Sequence, residues 1–173
     1  PDLTTRYGKN RLRVMQEVVY SKHKADRIDL VLFCNGLPVA TIEVKTEYTQ
    51  SLDQGIAQYR ADRSPAAEPL LTEFRGALVH FVVTDNEVSM TTKLDGQKTT
   101  FLPFNKGDHG GKGNPLNPNG ARTEYFWTDI LDKDVFLIIL TKYLVTRREE
   151  KPNPVTGKQE TSTSLRFPRF HQL

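Results

Sequence analysis

Two carboxylates and an amine stand within one short stretch of this chain, on either side of its clearest turn. Between Arg27 and Lys45, two apolar strands flank Asn35-Gly36. An Asn-Gly pair between apolar runs is the strongest short-range signal for a β-hairpin. Asp29 falls on the first strand, and Glu43 and Lys45 on the second, where an ordinary core hairpin carries no ionisable group. Carboxylates on adjacent strands can hold Mg²⁺, and an ammonium can sit beside an attacking water. The set therefore has the makings of a metal-dependent phosphodiesterase site.

Strand geometry decides whether the three can meet. Side chains alternate faces, so Leu30 and Leu32 share one face and Asp29, Val31 and Phe33 the other. On the second strand Ala40, Ile42 and Val44 oppose Val39, Thr41, Glu43 and Lys45. With the apolar faces on one side of the sheet, Asp29, Glu43 and Lys45 gather on the other. A strict two-residue loop pairs 29 with 42 and separates the carboxylates; one bulge or a third loop residue sets 29 opposite 43. Pro38 cannot donate to a ladder and Gly36 tolerates positive φ, so an irregularity is expected here.

A blander reading of the same residues is an exposed cross-strand ion pair. Glu-x-Lys arises easily where 26% of residues are charged, and Glu149-Glu150-Lys151 repeats it in a polar stretch with no strand pattern.

The residues from Ile28 to Lys45 resemble the PD-(D/E)xK nuclease signature, and in particular the nuclease region of the motor (R) subunit of type I restriction enzymes. The resemblance continues through Gln58-Tyr59-Arg60-Ala61-Asp62-Arg63, Arg75 to Phe81, and Phe101 to Gly107. It implies that Asp29 and Glu43 are the metal-binding acids, that Val44 offers its backbone carbonyl, and that Lys45 is the catalytic lysine. It also implies Mg²⁺ as cofactor, with Mn²⁺ able to substitute. Two departures stand out: Ile28 replaces the proline before the first acid, and Gly55 occupies the place of a glutamine four residues before Tyr59, flanked by Gln54 and Gln58. Gln58, Tyr59 and Arg60 are expected to support the lysine or its strand. Phe167 to Leu173 resembles the entry to a superfamily 2 helicase motor, with Gln172 as an adenine reader and the ATP site incomplete in this chain.

At 173 residues the length fits one domain that buries roughly 70% of its unfolded surface. A charge of +3 permits nucleic-acid binding without demanding it. The single cysteine, Cys34, excludes an internal disulfide and fits a reducing cytosol. No apolar run approaches a membrane span of about 20 residues, and the first residue, Pro1, suggests a fragment. His23, His80, His109 and His171 lack zinc-ligand spacing.

Around the hairpin, the pattern predicts a strand from Leu12 to Tyr20, a helix from Thr49 to Asp62 capped by Thr49 or Ser51, and a strand buried on both faces from Ala77 to Thr84. Val88–Leu94 and Thr99–Phe104 extend it as a β-meander. Glu17 is a candidate outer acid or a solvated face residue. The glycine-rich stretch 105–120 fails the P-loop test and reads as a surface loop, although Lys106 and Lys112 could meet a DNA backbone. One long helix is expected from Thr128 to about Thr146, burying Ile130, Leu131, Val135, Ile138, Ile139 and Leu144 and closed by Arg147 and Arg148.

The resulting expectation is an α/β, restriction-endonuclease-like core with a mixed central sheet flanked by helices and an added β-meander. The nuclease domain would span 1–148, a linker or protrusion 149–166, and the start of a truncated motor domain 167–173. The expected activity is Mg²⁺-dependent endonucleolytic cleavage of double-stranded DNA, in a cytoplasmic complex with specificity and methyltransferase subunits and with ATP used elsewhere in the full-length subunit. The alternative is a catalytically inactive, nuclease-like DNA-binding or assembly module.

Overall fold

The structure is a computed structural model describing residues 2–21, 23–46, 51–153 and 156–173. A short helix α1 (Leu3–Gly8) leads into β1 (Leu12–Val19), β2 (Arg27–Cys34) and β3 (Leu37–Val44). Helix α2 (Leu52–Asp62) follows, then β4 (Val79–Val83), β5 (Val88–Thr91) and the two-residue β6 (Leu102–Pro103). Helix α3 (Lys133–Ile138) precedes a hairpin of β7 (Val145–Pro152) and β8 (Gln159–Arg166).

Strands β1 to β6 form one sheet in sequence order. Only β3 and β4 run parallel, because α2 crosses between them; the other neighbours are antiparallel. Every residue of β4 is buried, as the continuous apolar run requires of a central strand. On one side Ile28, Val31, Leu71 and Val82 pack under α2 around Tyr59. On the other, Ala40, Ile42 and Phe81 meet Phe104, Phe126, Phe136 and Phe167. Phe81 anchors that second core, with the rings of Phe126, Phe167 and Phe104 centred 4.9, 5.6 and 5.8 Å away. The sheet is thus mixed and covered on both faces, with the meander present but shorter than its apolar pattern predicts.

The turn follows its sequence. Asn35 and Gly36 both take positive φ, 53° and 87°, matching the twist of the flanking strands. The expected irregularity is also there. Phe33 pairs with Pro38 but Leu32 with Ala40, so Val39 is the extra residue of a bulge. Val39 consequently joins the core that holds Ala40 instead of facing α2.

The long helix is a correction. Residues 126–143 are interrupted at Asp132, whose backbone leaves the helical region (φ −52°, ψ 139°) and whose carboxylate caps the N–H groups of Asp134 and Val135. π-helical turns at Phe126–Ile130 and Ile139–Tyr143 flank α3. The extra residue in each such turn rotates the buried face. Phe126, Phe136 and Leu137 are buried, whereas Val135 and Ile138 are 39% and 43% exposed. Thr128, expected to cap the helix at its start, does not; its hydroxyl donates to the carbonyl of Glu124. Arg147 and Arg148 lie in β7, not at a helix end.

In the stretch expected as a linker or hairpin protrusion, β7 (Val145–Pro152) and β8 (Gln159–Arg166) pair as an antiparallel hairpin that starts before 149. Phe167 and Phe170 pack back onto the main core through Phe104 and Tyr125. At the root of the glycine-rich loop, buried Asn114 donates to the carbonyl of Asn86 and to Asn105 Oδ1 and accepts from the Lys106 N–H. Among the described residues no helix is long and apolar enough to cross a membrane.

Candidate active site

The bulge sets the register of the site. With Leu30 paired to Ile42, the next position along the ladder puts Asp29 opposite Glu43. The ladder then gives way to a side chain: Asp29 Oδ2 accepts the Val44 N–H at 2.8 Å. One residue on, the Lys45 N–H donates to the Val83 carbonyl at 2.8 Å, fixing the end of β3 against β4.

Glu43 points from β3 under α2 and is fully buried. A buried carboxylate needs compensation. Arg63 supplies it from just past the C-terminus of α2, donating to Glu43 Oε1 from Nε at 3.0 Å and from Nη2 at 2.9 Å. The same Nη2 donates to the Arg27 carbonyl at 2.7 Å, which ties β2 into the group. Lys45 Nζ approaches the other oxygen, Oε2, at 3.4 Å and is itself 8% exposed. The exposed ion pair considered as the blander reading is therefore corrected: Glu43 and Lys45 do pair, but in the interior, because α2 covers them.

Helix α2 is built to do this. Ser51 caps it with a complete capping box to Gln54; Thr49, the other candidate cap, lies outside the described residues. Gly55, Tyr59 and Arg63 follow at four-residue spacing and therefore share one face. A Cβ at Gly55 would overlap Val82 Cγ1 and crowd Lys45 Cγ at 3.2 Å, so Val82 and the lysine stem occupy the space that a larger side chain here would enter. Tyr59 meets the Thr41 hydroxyl at 2.7 Å, and that hydroxyl meets His80 Nδ1 at 2.7 Å. Tyr59 thus holds strand β3 rather than the lysine.

Burial dominates the electrostatics. It pushes the Glu43 carboxyl up from its ordinary value, an effect that the charge of Asp29 reinforces and that Arg63 and Lys45 oppose. It pushes the Tyr59 phenol well up. It also lowers His80 to about 3, so His80 is neutral at pH 7.

The remaining candidates divide by position. Gln58 lines a cleft of about 360 Å³ with Lys45, Gln54 and Asp62. Arg60 faces away, its Nε donating to the Thr99 carbonyl at 3.0 Å. Lys106 lies on the opposite side of the sheet, over the Tyr125 ring at 4.7 Å and 3.8 Å from Asp129. Gln172 Oε1 accepts from the Arg169 N–H in the terminal turn. Glu17 makes a surface pair with Arg27 at 3.8 Å. Arg63 is the residue that sequence reasoning passed over, although its place four residues after Tyr59 on the same face was readable.

Asp29 commits Oδ2 to the Val44 N–H, while Glu43 gives Oε1 to Arg63 and Oε2 to the longer contact with Lys45 Nζ at 3.4 Å. Among the described residues no cluster of three or more His, Cys, Asp or Glu could hold a metal. A hard divalent cation does not require one, since one or two carboxylates with water and substrate phosphates suffice. The donor set fits such an ion.

No curated protein matches the chain. Residues 4–99, from α1 through the hairpin, α2 and β5, match the family described as type I restriction enzyme R protein N terminus. That match covers more than half of the 173 residues, and the chain belongs to this family.

Proposed function

We propose that this chain is the nuclease part of a type I restriction R subunit and that it cleaves double-stranded DNA with Mg²⁺ as cofactor. The observation that carries the reading is the buried Glu43, set opposite Asp29 by the bulge and reached at 3.4 Å by Lys45 Nζ. Burying an ionised carboxylate costs stability, and a core kept only for binding or assembly gains nothing from it.

Asp29 Oδ1, Glu43 Oε2 and the Val44 carbonyl would hold the ion. When bound, Mg²⁺ polarises the scissile phosphate and lowers the pKa of a bound water. As an ammonium, Lys45 would position the attacking water and offset charge on the phosphoryl oxygens; in its neutral form it would instead help to take that water's proton. Arg63 keeps Glu43 in one orientation, while Tyr59 and Thr41 fix the strand beneath it. Gln58 and Gln54 edge the cleft beside Lys45, the side from which a phosphate would enter. The specificity and methyltransferase subunits are the proposed partners, and ATP is the proposed fuel of the rest of the R subunit, where Gln172 would take part.

The test is cleavage of circular DNA by the reconstituted full complex carrying Lys45→Ala, with ATP hydrolysis followed alongside. Lost cleavage with intact ATPase is expected. Retained cleavage would move the chemistry elsewhere and leave this domain a binding role.

A further inference from the structure

Away from the carboxylates, a groove of about 330 Å³ opens where the end of β5 meets the end of β8. Lys93, Lys98 and Asp95 stand on one side and Arg166 and Ser164 on the other. All three cations are exposed. Among the described residues none of the three has a carboxylate within 4 Å. Asp95 is the one anion among the lining residues, which keep a net positive charge; the Glu73 carboxylate stands against the wall, its Oε1 accepting the Leu165 N–H at 3.2 Å.

The walls are held in place. Thr92 Oγ1 donates to the Leu165 carbonyl at 2.9 Å and so ties β8 to the end of β5. The turn carrying Lys98 is closed by the Lys98 N–H to the Asp95 carbonyl at 3.0 Å and by the Asp95 N–H to Thr99 Oγ1 at 2.8 Å. Arg60 fastens this turn to α2, the helix that also carries Gly55 and Tyr59 and leads into Arg63. Positive charges fixed on a rigid frame lose little entropy when they meet a polyanion.

The groove also lies at a useful distance. In strand order β5 is two places from β3, about 10 Å across the sheet. Thr91 pairs with His80, whereas Glu43 pairs with Val82, so the groove sits about two residues, ~7 Å, further along the strands. A separation of roughly 12 Å spans three to four base pairs at 3.4 Å each. The in-sheet offset from Glu43 to Thr91, at the groove's near edge, is thus a few base pairs of duplex.

We propose that this groove binds backbone phosphates of the same DNA, a few nucleotides from the scissile bond, through Lys93, Lys98 and Arg166. The proposal rests on the reading of DNA as substrate. It assigns the groove to register and grip rather than to sequence choice, since phosphate contacts carry no sequence information.

The experiment measures binding of a short labelled duplex to the chain and to Lys93→Gln/Lys98→Gln/Arg166→Gln across a salt series without divalent metal. Circular dichroism melting checks that the variant folds as the parent does. The expected result is an affinity loss of about tenfold or more and a log K against log salt slope shallower by about 2 to 3, near one per lost phosphate contact. Equal affinity and slope in the two proteins would overturn the groove while leaving the DNA reading intact. A parent chain with no duplex affinity even at low salt would overturn both. Release of the duplex by inorganic phosphate at matched ionic strength would assign the groove to a small anion and also overturn the proposal.

Discussion

Arg63 and Glu43 form a buried pair in which two guanidinium nitrogens converge on one carboxylate oxygen, at 3.0 and 2.9 Å. Both side chains are almost fully enclosed, at 6% and 0% exposure. Removing one member of such a pair leaves an uncompensated charge inside, which costs about 3–5 kcal/mol. Arg63→Met is therefore expected to lower stability to urea by that order. Adding Glu43→Gln to the same chain should recover much of the loss. A double variant as unstable as the sum of the singles would show that the pair is not coupled.

Gly55 is the second position where the site depends on helix α2. Alanine there gains up to about 1 kcal/mol of helix propensity. Its methyl group would overlap Val82 Cγ1 and press on the Lys45 stem. Overpacking of this kind costs roughly 1–3 kcal/mol. Gly55→Ala is expected to be destabilised on balance, whereas Gly55→Gln should be worse and, under the proposed nuclease function, should lose DNA cleavage by displacing Lys45. A variant with a raised melting midpoint would mean that the helix stands further from β3 than described.

How far the chain could be read from its residues follows from which rule governs each part. The hairpin obeys local rules: Asn-Gly sets the turn, Pro38 and the alternation of faces call for a bulge or a longer loop, and the turn and a bulge are both seen. Burial of β4 follows from its unbroken apolar run. The stretch 126–143 fails the 3.6-residue rule because Asp132 caps a new start and two π-helical turns shift the phase. Arg63 was missed for another reason. A lone arginine past a helix end reads as a solvated residue until the register of β3 brings a buried carboxylate to it. The polar, proline-containing stretch after 149 reads equally as a linker or a hairpin protrusion, because its strands have little apolar alternation; the structure has the hairpin.

The Thr41 hydroxyl joins Tyr59 and His80 at 2.7 Å each, inside the core. Thr41→Val keeps the shape and removes the shared partner, leaving two buried polar groups without their bond. A loss of about 1–3 kcal/mol is expected. Tyr59→Phe combined with Thr41→Val should cost less than the two changes added together, because they break the same contact. Strict additivity in denaturant midpoints would argue that the chain of hydrogen bonds is energetically idle.

His80 makes a prediction about acid. Its native value is about 3, while an unfolded histidine titrates near 6.5. Between those values the unfolded chain takes up a proton that the folded chain refuses, so stability falls as pH falls through this window. The slope approaches ~1.4 kcal/mol per pH unit once well below 6.5. Glu43 acts in the opposite sense, since its carboxyl is raised and its protonation favours the folded state as pH drops. The net curve of the parent protein therefore mixes both effects, and a substitution is needed to separate them. His80→Gln cannot take up the proton in either state but leaves the Glu43 contribution in place. Urea midpoints measured from pH 7 to pH 4.5 should converge for the two proteins, the variant starting less stable and losing less on acidification. Parallel curves would mean that His80 can be protonated within the fold, and that its enclosure between Tyr59 and Thr41 is looser than the contacts describe.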